Sequence, residues 1–405
     1  MKKTLLLATV FAFAPAIWAE SLAGLWNATI TVSGTEIPFK IEFAGDGSNV
    51  KGWFFNGDEH ENSTGGTFEN GSLVLHFDTY ASVLKATVKD GVLDGEYSTR
   101  GTPIPIHAVR AVRQPVSNGK APDISGLWYL EGVKSSKHDE QAWRFFVRQK
   151  GADVSGAILR VDGDTGTLTG SYKDGKFVLS HFSGARAALL EITPQNDGTL
   201  TIHLSGQHHE GAITAVRPEQ ARAKSLPEPV DADQHTGVTD PTKPFAFSFK
   251  DLNGNLVSNT DERFRGKVVL VNITGSWCPN CHDEDEFLPV IYNKYHARGL
   301  EIVALNFEEP EQLADPARLK TLIKEYGIRY PVLLAGETRS VKEKLPQAKD
   351  WDSWPTTFFV GRDGLVKAVH AGFPSPGSGD LYAKAKAEFI AEVERLLAEN
   401  QTSSR

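Results

Sequence analysis

The sequence predicts a multidomain protein in which two repeated antiparallel β modules precede an α/β domain. Three observations lead to this fold class. First, several short motifs of the first half return about a hundred residues later, a domain-sized period that is longer than the repeats of solenoid proteins. Second, a stretch rich in proline and small polar residues follows the second copy. Third, the apolar pattern beyond that stretch changes to buried strands that alternate with helices.

The two β modules are predicted at residues 20–118 and 119–220. Two pairs of segments show the repeat: AGLWNATI at 23–30 with SGLWYLEG at 125–132, and HAVR at 107–110 with TAVR at 214–217. Short runs of Val, Ile, Phe, Thr and Leu alternate with Asp-Gly and Asn-Gly turn signals between these motifs. Each module is therefore expected to be a β sandwich or a small barrel. Trp26 and Trp128 are expected in the cores, and a platform that binds a ligand is the alternative for these two residues.

Residues 1–19 have the pattern of a secretory signal. Two lysines precede an apolar run at 4–14, and Ala19 is a small residue suited to cleavage. The alternative is an uncleaved membrane anchor, but the apolar run is shorter than the ~20 residues that a spanning helix needs. We therefore expect export to the periplasm, which is an oxidising compartment.

Composition disfavours some classes of function. The 405 residues include 51 acidic and 43 basic side chains, which gives a formal net charge of −8. A nucleic-acid partner is disfavoured, because proteins that bind nucleic acids present a basic surface to the phosphates. The chain has only two cysteines, and a chain of this length can bury its cores without the disulfides that small secreted domains need.

The α/β domain is predicted at residues 243–400, after a linker at 221–242. Its predicted elements are a strand and hairpin at 245–258, a buried strand at 267–273, a helix from Cys278 to about Arg298, a buried strand at 300–307, a helix at 316–327, a strand at 330–334, a hairpin at 356–372 and a final helix at 381–400. Strands separated by helices, with a closing hairpin and helix, indicate an α/β sandwich around a mixed sheet.

Each kind of element has its own signal. Continuous apolar runs indicate buried strands, and the turn Asp363-Gly364 indicates the second hairpin. In the first helix, Phe287, Val290 and Ile291 recur at helical spacing, and Gly299 stands where a C-terminal cap belongs.

Cys278 and Cys281 stand at the predicted start of the first long helix. A helix N-terminus presents unsatisfied N–H groups and the positive end of the helix dipole, which stabilise a thiolate at Cys278. Pro279 suits the first helical turn because it lacks an N–H group, and a spacing of three places both thiols on one helix face. This arrangement favours a redox centre, with Cys278 open to solvent and Cys281 shielded by its own helix.

A zinc site and a passive staple are the other interpretations of the cysteine pair. Zinc takes about four ligands, and only His282, His296 and scattered carboxylates could complete a set. A disulfide between residues so close in sequence closes a very small loop and stabilises little. The run His208, His209 and Glu210 predicts no metal site either, since neighbours on a strand point to opposite faces.

The segment WCPNC at 277–281 and its surroundings resemble the TlpA/ResA-like family of thiol-disulfide oxidoreductases, which have the thioredoxin fold. The segment SWPTTFFVGRDG at 353–364 is similar to the one in which this fold holds a cis-proline, here Pro355, against the CxxC motif. Asn272 stands six residues before the first cysteine and Glu284 three residues after the second, as in that family. The resemblance covers only the C-terminal domain and leaves the two β modules unexplained.

The resemblance implies a role for each site residue. Cys278 is expected to attack a disulfide of a partner protein, and Cys281 to resolve the mixed disulfide that forms. Trp277, Trp354 and Pro355 are expected to line the groove that binds the partner.

Glu284 has two interpretations. The resemblance implies that it lies under the thiols, has a pKa raised by partial burial, and moves protons during exchange. The alternative is a solvated acid in the first helical turn. Glu284 belongs to the run HDEDE at 282–286, whose negative charge near the thiols opposes the effect of the helix dipole.

The predicted function is that of an exported enzyme that reduces disulfides in partner proteins. The resemblance implies disulfide- or thiol-containing proteins as partners, a membrane thiol reductase as the electron donor, and neither a cofactor nor a metal. A thiol peroxidase is one alternative, although that family keeps a threonine three residues before its cysteine, where this chain has Gly275. A binding or chaperone-like protein with a regulatory CxxC motif is another.

Overall fold

The structure is a computed structural model that describes residues 21–57, 59–99, 101–112, 121–133, 140–161, 163–205, 211–230 and 235–399. The predicted signal at 1–19 and the run from His208 to Glu210 lie outside the described residues. Within those ranges, no helix is both long enough and apolar enough to cross a membrane.

The first β module is one curled, antiparallel sheet. Its strands are β1 (Gly24–Val32), β2 (Thr35–Ala44), β3 (Lys51–Asn56), β4 (Glu59–Asn62), β5 (Gly65–Glu69), β6 (Ser72–Phe77), β7 (Ser82–Lys89), β8 (Val92–Thr99) and β9 (Thr102–Arg110). Their order across the sheet is β4-β3-β2-β1-β9-β8-β7-β6-β5, and a bridge between Gly47 and Phe68 joins the two halves of the curl. Alternate residues of β2 are buried, so one face of the sheet encloses an apolar core around Trp26 and Phe54.

The second β module is a closed barrel. Its strands are β10 (Gly126–Glu131), β11 (Ala142–Lys150), β12 (Asp153–Arg160), β13 (Gly163–Asp164), β14 (Leu168–Lys173), β15 (Lys176–Phe182), β16 (Ala187–Pro194), β17 (Leu200–Ser205) and β18 (Ala212–Val216). Eight strands close the ring because β11 pairs with both β10 and β12, and the short β13 pairs with β12 beside it. A sandwich or a small barrel was predicted for each module. The second module is a barrel, and the first is a single curled sheet.

The repeat extends to individual side chains. The indole N–H groups of Trp26 and Trp128 each donate to the carbonyl four residues earlier, at 2.9 and 2.8 Å. The arginine of each repeated Ala-Val-Arg lies over the indole, with Arg110 at 4.9 Å and Arg217 at 3.7 Å from the ring centroid. Both tryptophans are buried, which confirms their predicted place in the cores.

The barrel packs into the open face of the curled sheet. Phe182 of the barrel lies 4.5 Å from Phe39 and 4.7 Å from Phe54, measured between ring centroids. The side chain of Asn56 donates to the carbonyl of Phe182 at 3.1 Å and accepts its N–H at 3.0 Å. The two modules thus share apolar and polar contacts.

The predicted linker starts as part of the second module. Helix α1 (Pro218–Ala223) follows β18, and Ala221 packs against Tyr129 and Val216 of the barrel. Farther along the chain, β19 (Gly237–Val238) pairs with a short strand of the C-terminal domain. The exact limits of the domains stay a prediction.

The C-terminal domain is a mixed sheet with helices. Its strands after β19 are β20 (Ser248–Asp251), β21 (Leu256–Ser258), β22 (Val268–Thr274), β23 (Leu300–Glu308), β24 (Val332–Glu337), β25 (Ala348–Lys349), β26 (Thr356–Val360) and β27 (Val366–Ala371). Its helices are α2 (Pro279–Tyr295), α3 (Pro310–Ala314), α4 (Ala317–Glu325), α5 (Val341–Lys344) and α6 (Asp380–Ala398). The sheet order is β21-β20-β24-β23-β22-β26-β27, with β22, β23 and β24 parallel. The predicted strands, hairpins and helices are all present.

Helix α2 begins and ends where the sequence indicates. Cys278 is its N-cap, and a short 3₁₀ turn carries the chain to Gly299, which has a φ of 97°, a left-handed conformation that suits glycine. Val290 recurs at helical spacing with Phe287 and Ile291, yet 61% of this residue is exposed. The buried stripe is instead centred on Phe287 and Ile291, and Val290 lies outside it.

Candidate active site

Cys278 stands at the junction of β22 and α2. Strand β22 is buried along its whole length and lies between β23 and β26. The chain then turns, and the N–H of Cys278 donates to the carbonyl of Gly275 at 3.0 Å. The Sγ atom of Cys278 accepts the N–H of Cys281 at 3.3 Å. The sulfur therefore lies at the positive end of the helix dipole, where negative charge is favoured.

Both cysteines are free thiols in this structure, and both are buried. The exposed fraction is 4% for Cys278 and 0% for Cys281. The expected solvent access of Cys278 is therefore wrong. Residues of both β modules contact its neighbours in α2, with Asp164 bonded to Asn280 and Tyr80 stacked on His282. Burial raises the pKa of the Cys281 thiol well above its usual value, and its contact with Cys278 raises it further.

Three predicted partner-binding residues meet beside the cysteine pair. The peptide bond between Trp354 and Pro355 is cis, as the resemblance implies. The rings of Trp277 and Trp354 meet edge to face, with centroids 5.1 Å apart, and the indole N–H of Trp277 donates to the carbonyl of Phe307 at 3.0 Å. Pro355 is buried, whereas the two tryptophans are half-buried. Their role in binding a partner stays a prediction.

Glu284 lies in the interior rather than in solvent. Only 1% of the residue is exposed. The Nδ2 of Asn272 donates to one carboxyl oxygen at 2.5 Å, and the hydroxyl of Thr357 donates to the other at 2.8 Å. Burial raises the pKa of Glu284 to about 8, against the opposing effect of these two hydrogen bonds. Glu284 is therefore not a solvated acid, and its proton-moving role stays a prediction.

The neighbouring acids of α2 are also perturbed. Asp285 is 3% exposed, and burial raises its pKa, with further contributions from Glu284 and Cys278. Burial likewise raises the pKa of Asp283. A raised pKa favours the neutral carboxyl. The HDEDE run therefore places less negative charge near the thiols than its sequence indicates.

A buried ion pair supports the loop before Cys278. Glu308, at the end of β23, is fully buried and accepts the N–H and the hydroxyl of Ser276 at 2.9 and 2.8 Å. Arg318 donates to Glu308 at 3.1 Å and to the hydroxyl oxygen of Ser276 at 2.7 Å. Sequence reasoning missed this pair, although a glutamate that ends an apolar strand is a usable signal.

The β modules contribute residues to the surroundings of the site. Asp164 of the barrel accepts a hydrogen bond from Asn280, which lies between the two cysteines, at 2.8 Å. Tyr80 of the first module stacks on His282, the residue after Cys281, with ring centroids 4.4 Å apart. No local motif marks Asp164 or Tyr80 in the sequence. Among the residues that the structure describes, no group of three or more His, Cys, Asp or Glu is arranged to hold a metal ion.

Comparison with known proteins points to the same part of the chain. A family model described as Redoxin matches residues 238–385. The thiol-disulfide oxidoreductase ResA of Bacillus thuringiensis subsp. konkukian is 31% identical over 122 residues, which are 30% of this chain and 62% of that protein. ResA of Bacillus subtilis is 30% identical over 126 residues, which are 31% of this chain and 64% of that protein. The matches thus span less than two thirds of the length of these relatives.

Two solved structures are also similar to part of this chain. A thiol:disulfide interchange protein of the thioredoxin family from Chlorobium tepidum is 25% identical, with a TM-score of 0.31 over 40% of this chain and 99% of that chain. A thiol-disulfide oxidoreductase from Bacteroides fragilis is 19% identical, with a TM-score of 0.27 over 35% of this chain and 99% of that chain. The Redoxin and ResA matches confirm the resemblance that the CxxC and cis-proline segments indicate. The C-terminal domain has the thioredoxin fold, and its residues 238–385 match the Redoxin family model and are similar to the ResA thiol-disulfide oxidoreductases.

Proposed function

We propose that this protein is an exported thiol-disulfide oxidoreductase that reduces disulfides of partner proteins through Cys278 and Cys281. The observation that carries the proposal is the N-cap position of Cys278, whose Sγ accepts the N–H of Cys281 at 3.3 Å. Similarity to proteins named thiol-disulfide oxidoreductases supports the same chemistry. Residues 238–385 are called the redox domain below.

The proposed reaction moves two electrons to the partner. The Cys278 thiolate attacks one sulfur of the partner disulfide, so that a mixed disulfide forms and the second partner sulfur leaves as a thiolate. Cys281 then loses its proton and attacks Sγ of Cys278, which releases the first partner sulfur. The partner has gained two electrons, and its two thiolates take up protons from the solvent. The CxxC pair has lost two electrons and is a disulfide.

Glu284 is proposed to take up the proton that Cys281 releases. Cys281 needs a base because burial raises its pKa. Glu284 follows one helical turn later, and its pKa of about 8 keeps both of its protonation states populated near neutral pH. Asn272 and Thr357 hold the two carboxyl oxygens in place.

The reaction also requires recognition of the partner protein and a supply of electrons to the CxxC pair. Trp277, Trp354 and Pro355 are proposed to contact the partner, because Trp277 precedes Cys278 in the chain and its ring meets that of Trp354, which precedes Pro355. Each turnover oxidises the CxxC pair, so a membrane thiol reductase is proposed to return the two electrons. The signal pattern at residues 1–19 supports export to the periplasm, with an uncleaved anchor as the alternative.

Two substrates separate this function from its alternatives. The reduced protein is incubated with insulin and, separately, with hydrogen peroxide, and loss of its thiols is followed. Rapid insulin reduction with negligible peroxide turnover is the expected result. The reverse result would identify a thiol peroxidase, and turnover of neither substrate would favour a binding protein. A reduction potential of the Cys278/Cys281 couple near the oxidising end of the thioredoxin-fold range would overturn the reductase assignment.

A further inference from the structure

The barrel lies on the side of the redox domain that carries the CxxC helix and the loop before β26. The hydroxyl of Ser353 donates to the carbonyl of Val161 at 2.7 Å. The Nδ2 of Asn280 donates to Asp164 at 2.8 Å. Asn280 and Ser353 are both buried, with 4% and 0% of their surface exposed. Val161 and residues 163–167 are called the covering segment.

Asp164 makes the densest polar contact between the covering segment and the redox domain. The residue is 1% exposed. Its Oδ1 accepts the N–H of Gly166 at 2.9 Å and the amide of Asn280 at 2.8 Å. Its Oδ2 accepts the N–H of Ser375 at 2.5 Å and the hydroxyl of Ser378 at 3.0 Å. Three of the four donors belong to the redox domain. Loss of these donors would leave the buried carboxylate without three of its four hydrogen bonds, which is unfavourable in free energy.

The side chain of Asn280, between the two cysteines, forms hydrogen bonds through both its nitrogen and its oxygen. The Nδ2 of Asn280 donates to Asp164 and to the carbonyl of Phe373, the latter at 3.2 Å. Its Oδ1 accepts a hydrogen bond from Arg186 at 3.0 Å. Because Asp164 and Arg186 both belong to the barrel, the docked barrel fixes the conformation of the CxxC motif.

The contact is also close packed. Gly377 of the redox domain faces Thr167 of the covering segment, where a methyl group on Gly377 would come within 2.4 Å of Oγ1 and 2.7 Å of Cα. Real atoms do not approach so closely, so only glycine fits here without a shift of one surface. The two surfaces therefore meet without space for another chain.

This cover conflicts with the exchange reaction. A disulfide sulfur of the partner must reach Sγ of Cys278, yet Cys278 is only 4% exposed. Tyr80 of the first module extends the cover by stacking on His282, one turn into α2. A folded partner protein has no route to the thiol while both modules are docked.

We propose that the covering segment occupies the surface where a partner protein binds, and that it withdraws, with Asp164 as its latch, before Cys278 reacts with a protein disulfide. This inference rests on the proposed function. The partner that fits is an extended polypeptide segment next to a cystine, because β13 is itself extended and the carbonyl of Val161 bonds to Ser353. An incoming strand would replace these hydrogen bonds with its own.

The test measures how fast the thiols of the reduced, full-length protein react with a maleimide attached to polyethylene glycol. In Asp164→Asn, the amide NH2 group faces two donors whichever way it is turned, so the latch is weakened. We expect this variant to react about tenfold faster than the wild type, because the open form gains population. The matched control is Asp174→Asn in an exposed turn of the same barrel, which should react at the wild-type rate.

Circular dichroism and cooperative thermal unfolding show whether Asp164→Asn keeps the barrel fold. A second variant tests the proposal if it does not. Gly377→Ala forces the same two surfaces apart from the side of the redox domain, and it should also react about tenfold faster. Wild-type rates in Gly377→Ala and in folded Asp164→Asn would overturn the proposal, even if every protein reduced insulin. Faster labelling of both variants without insulin reduction by any protein would support the cover and count against the proposed function.

Discussion

The phenol ring of Tyr80 lies flat on the imidazole of His282, with ring centroids 4.4 Å apart and planes 6° apart. The Nε2 of His282 donates to the carbonyl of Ser276 at 2.9 Å, and Nδ1 accepts from the hydroxyl of Tyr326 at 3.1 Å. Burial lowers the pKa of His282 to about 4, so the ring is neutral at pH 7. The first β module thus packs against the helix of the cysteine pair through one uncharged imidazole.

Replacing Tyr80 with Ala should raise the pKa of His282 from about 4 toward its usual 6.5, because the variant removes the ring that buries it. A base whose pKa is lowered by folding contributes stability above pH 6.5 that is lost as the pH falls through about 4. The contribution of His282 to stability should therefore be lost across that window in the wild type, and the loss should be smaller in Tyr80→Ala. NMR titration of the imidazole protons, assigned with a His282→Gln variant, measures the pKa directly.

Tyr80→Phe is the matched control for this prediction. It keeps the stacked ring and removes only the hydroxyl, which lies 3.5 Å from Glu61. The pKa of His282 should stay close to the wild-type value in this variant. A low pKa in Tyr80→Ala would show that Tyr80 does not bury His282 in solution.

Substitution of the two cysteines should abolish function in different ways. Cys278 caps α2 and is the less buried thiol, whereas Cys281 is fully buried and burial raises its pKa. Cys278→Ser should neither reduce insulin nor capture partners, because the attacking sulfur is gone. Cys281→Ser should retain the attack and accumulate mixed disulfides that survive non-reducing electrophoresis and vanish on reduction. Equal trapping by both variants, or faster reaction of Cys281 with iodoacetamide, would contradict these roles.

Local patterns explain why the redox domain could be predicted from its sequence. Val268–Thr274 is apolar enough to be buried throughout, and helix Pro279–Tyr295 carries its start and stop signals in Pro279 and Gly299. The difference between a curled sheet and a closed barrel could not be predicted. It depends on whether β12 pairs with β14, because β3 and β5, the corresponding strands of the first module, are not neighbours in its sheet as the structure describes it. Both modules have similar alternating strands.

Long-range contacts explain what the sequence did not predict at the site. Asp164 lies 116 residues before Asn280, and nothing in either segment says that the two meet. Cys278 is only 4% exposed although it stands at a helix N-terminus, so that position alone does not determine its exposure. Helical spacing likewise places Val290 near an apolar stripe, but only the packing of α2 fixes where that stripe ends.

The pair Arg318 and Glu308 should contribute strongly to stability. Arg318→Met leaves the fully buried Glu308 carboxylate without its cation, and such losses cost about 3–5 kcal/mol of unfolding free energy. Arg339→Met is the control, because Arg339 pairs with Glu337 at 2.7 Å while 84% of its side chain is exposed. That change should cost less than about 1 kcal/mol. Urea unfolding of both variants measures the difference, and equal losses would show that Arg318 and Glu308 do not form a buried pair in solution.

Glu284 should make the stability of the folded protein depend on pH, in a direction set by its raised pKa. Its pKa rises from 4.5 to about 8 on burial, so the folded state keeps a proton that the unfolded state releases between these values. The resulting stability is fully present below pH 4.5 and is lost as the pH rises through about 8. Asp285, whose pKa burial also raises, acts in the same direction.

Glu284→Gln cannot ionise, so its unfolding free energy should fall less than that of the wild type between about pH 5 and pH 8, by on the order of 3 kcal/mol. Urea unfolding at closely spaced pH values checks this slope. Glu388→Gln is the control, because Glu388 lies exposed on the last helix and its removal should leave the slope unchanged. If Glu284 also accepts the proton of Cys281, Glu284→Gln should reduce insulin about tenfold more slowly or worse. A wild-type slope together with a wild-type rate would identify Glu284 as an ordinary helical acid and remove it from the mechanism.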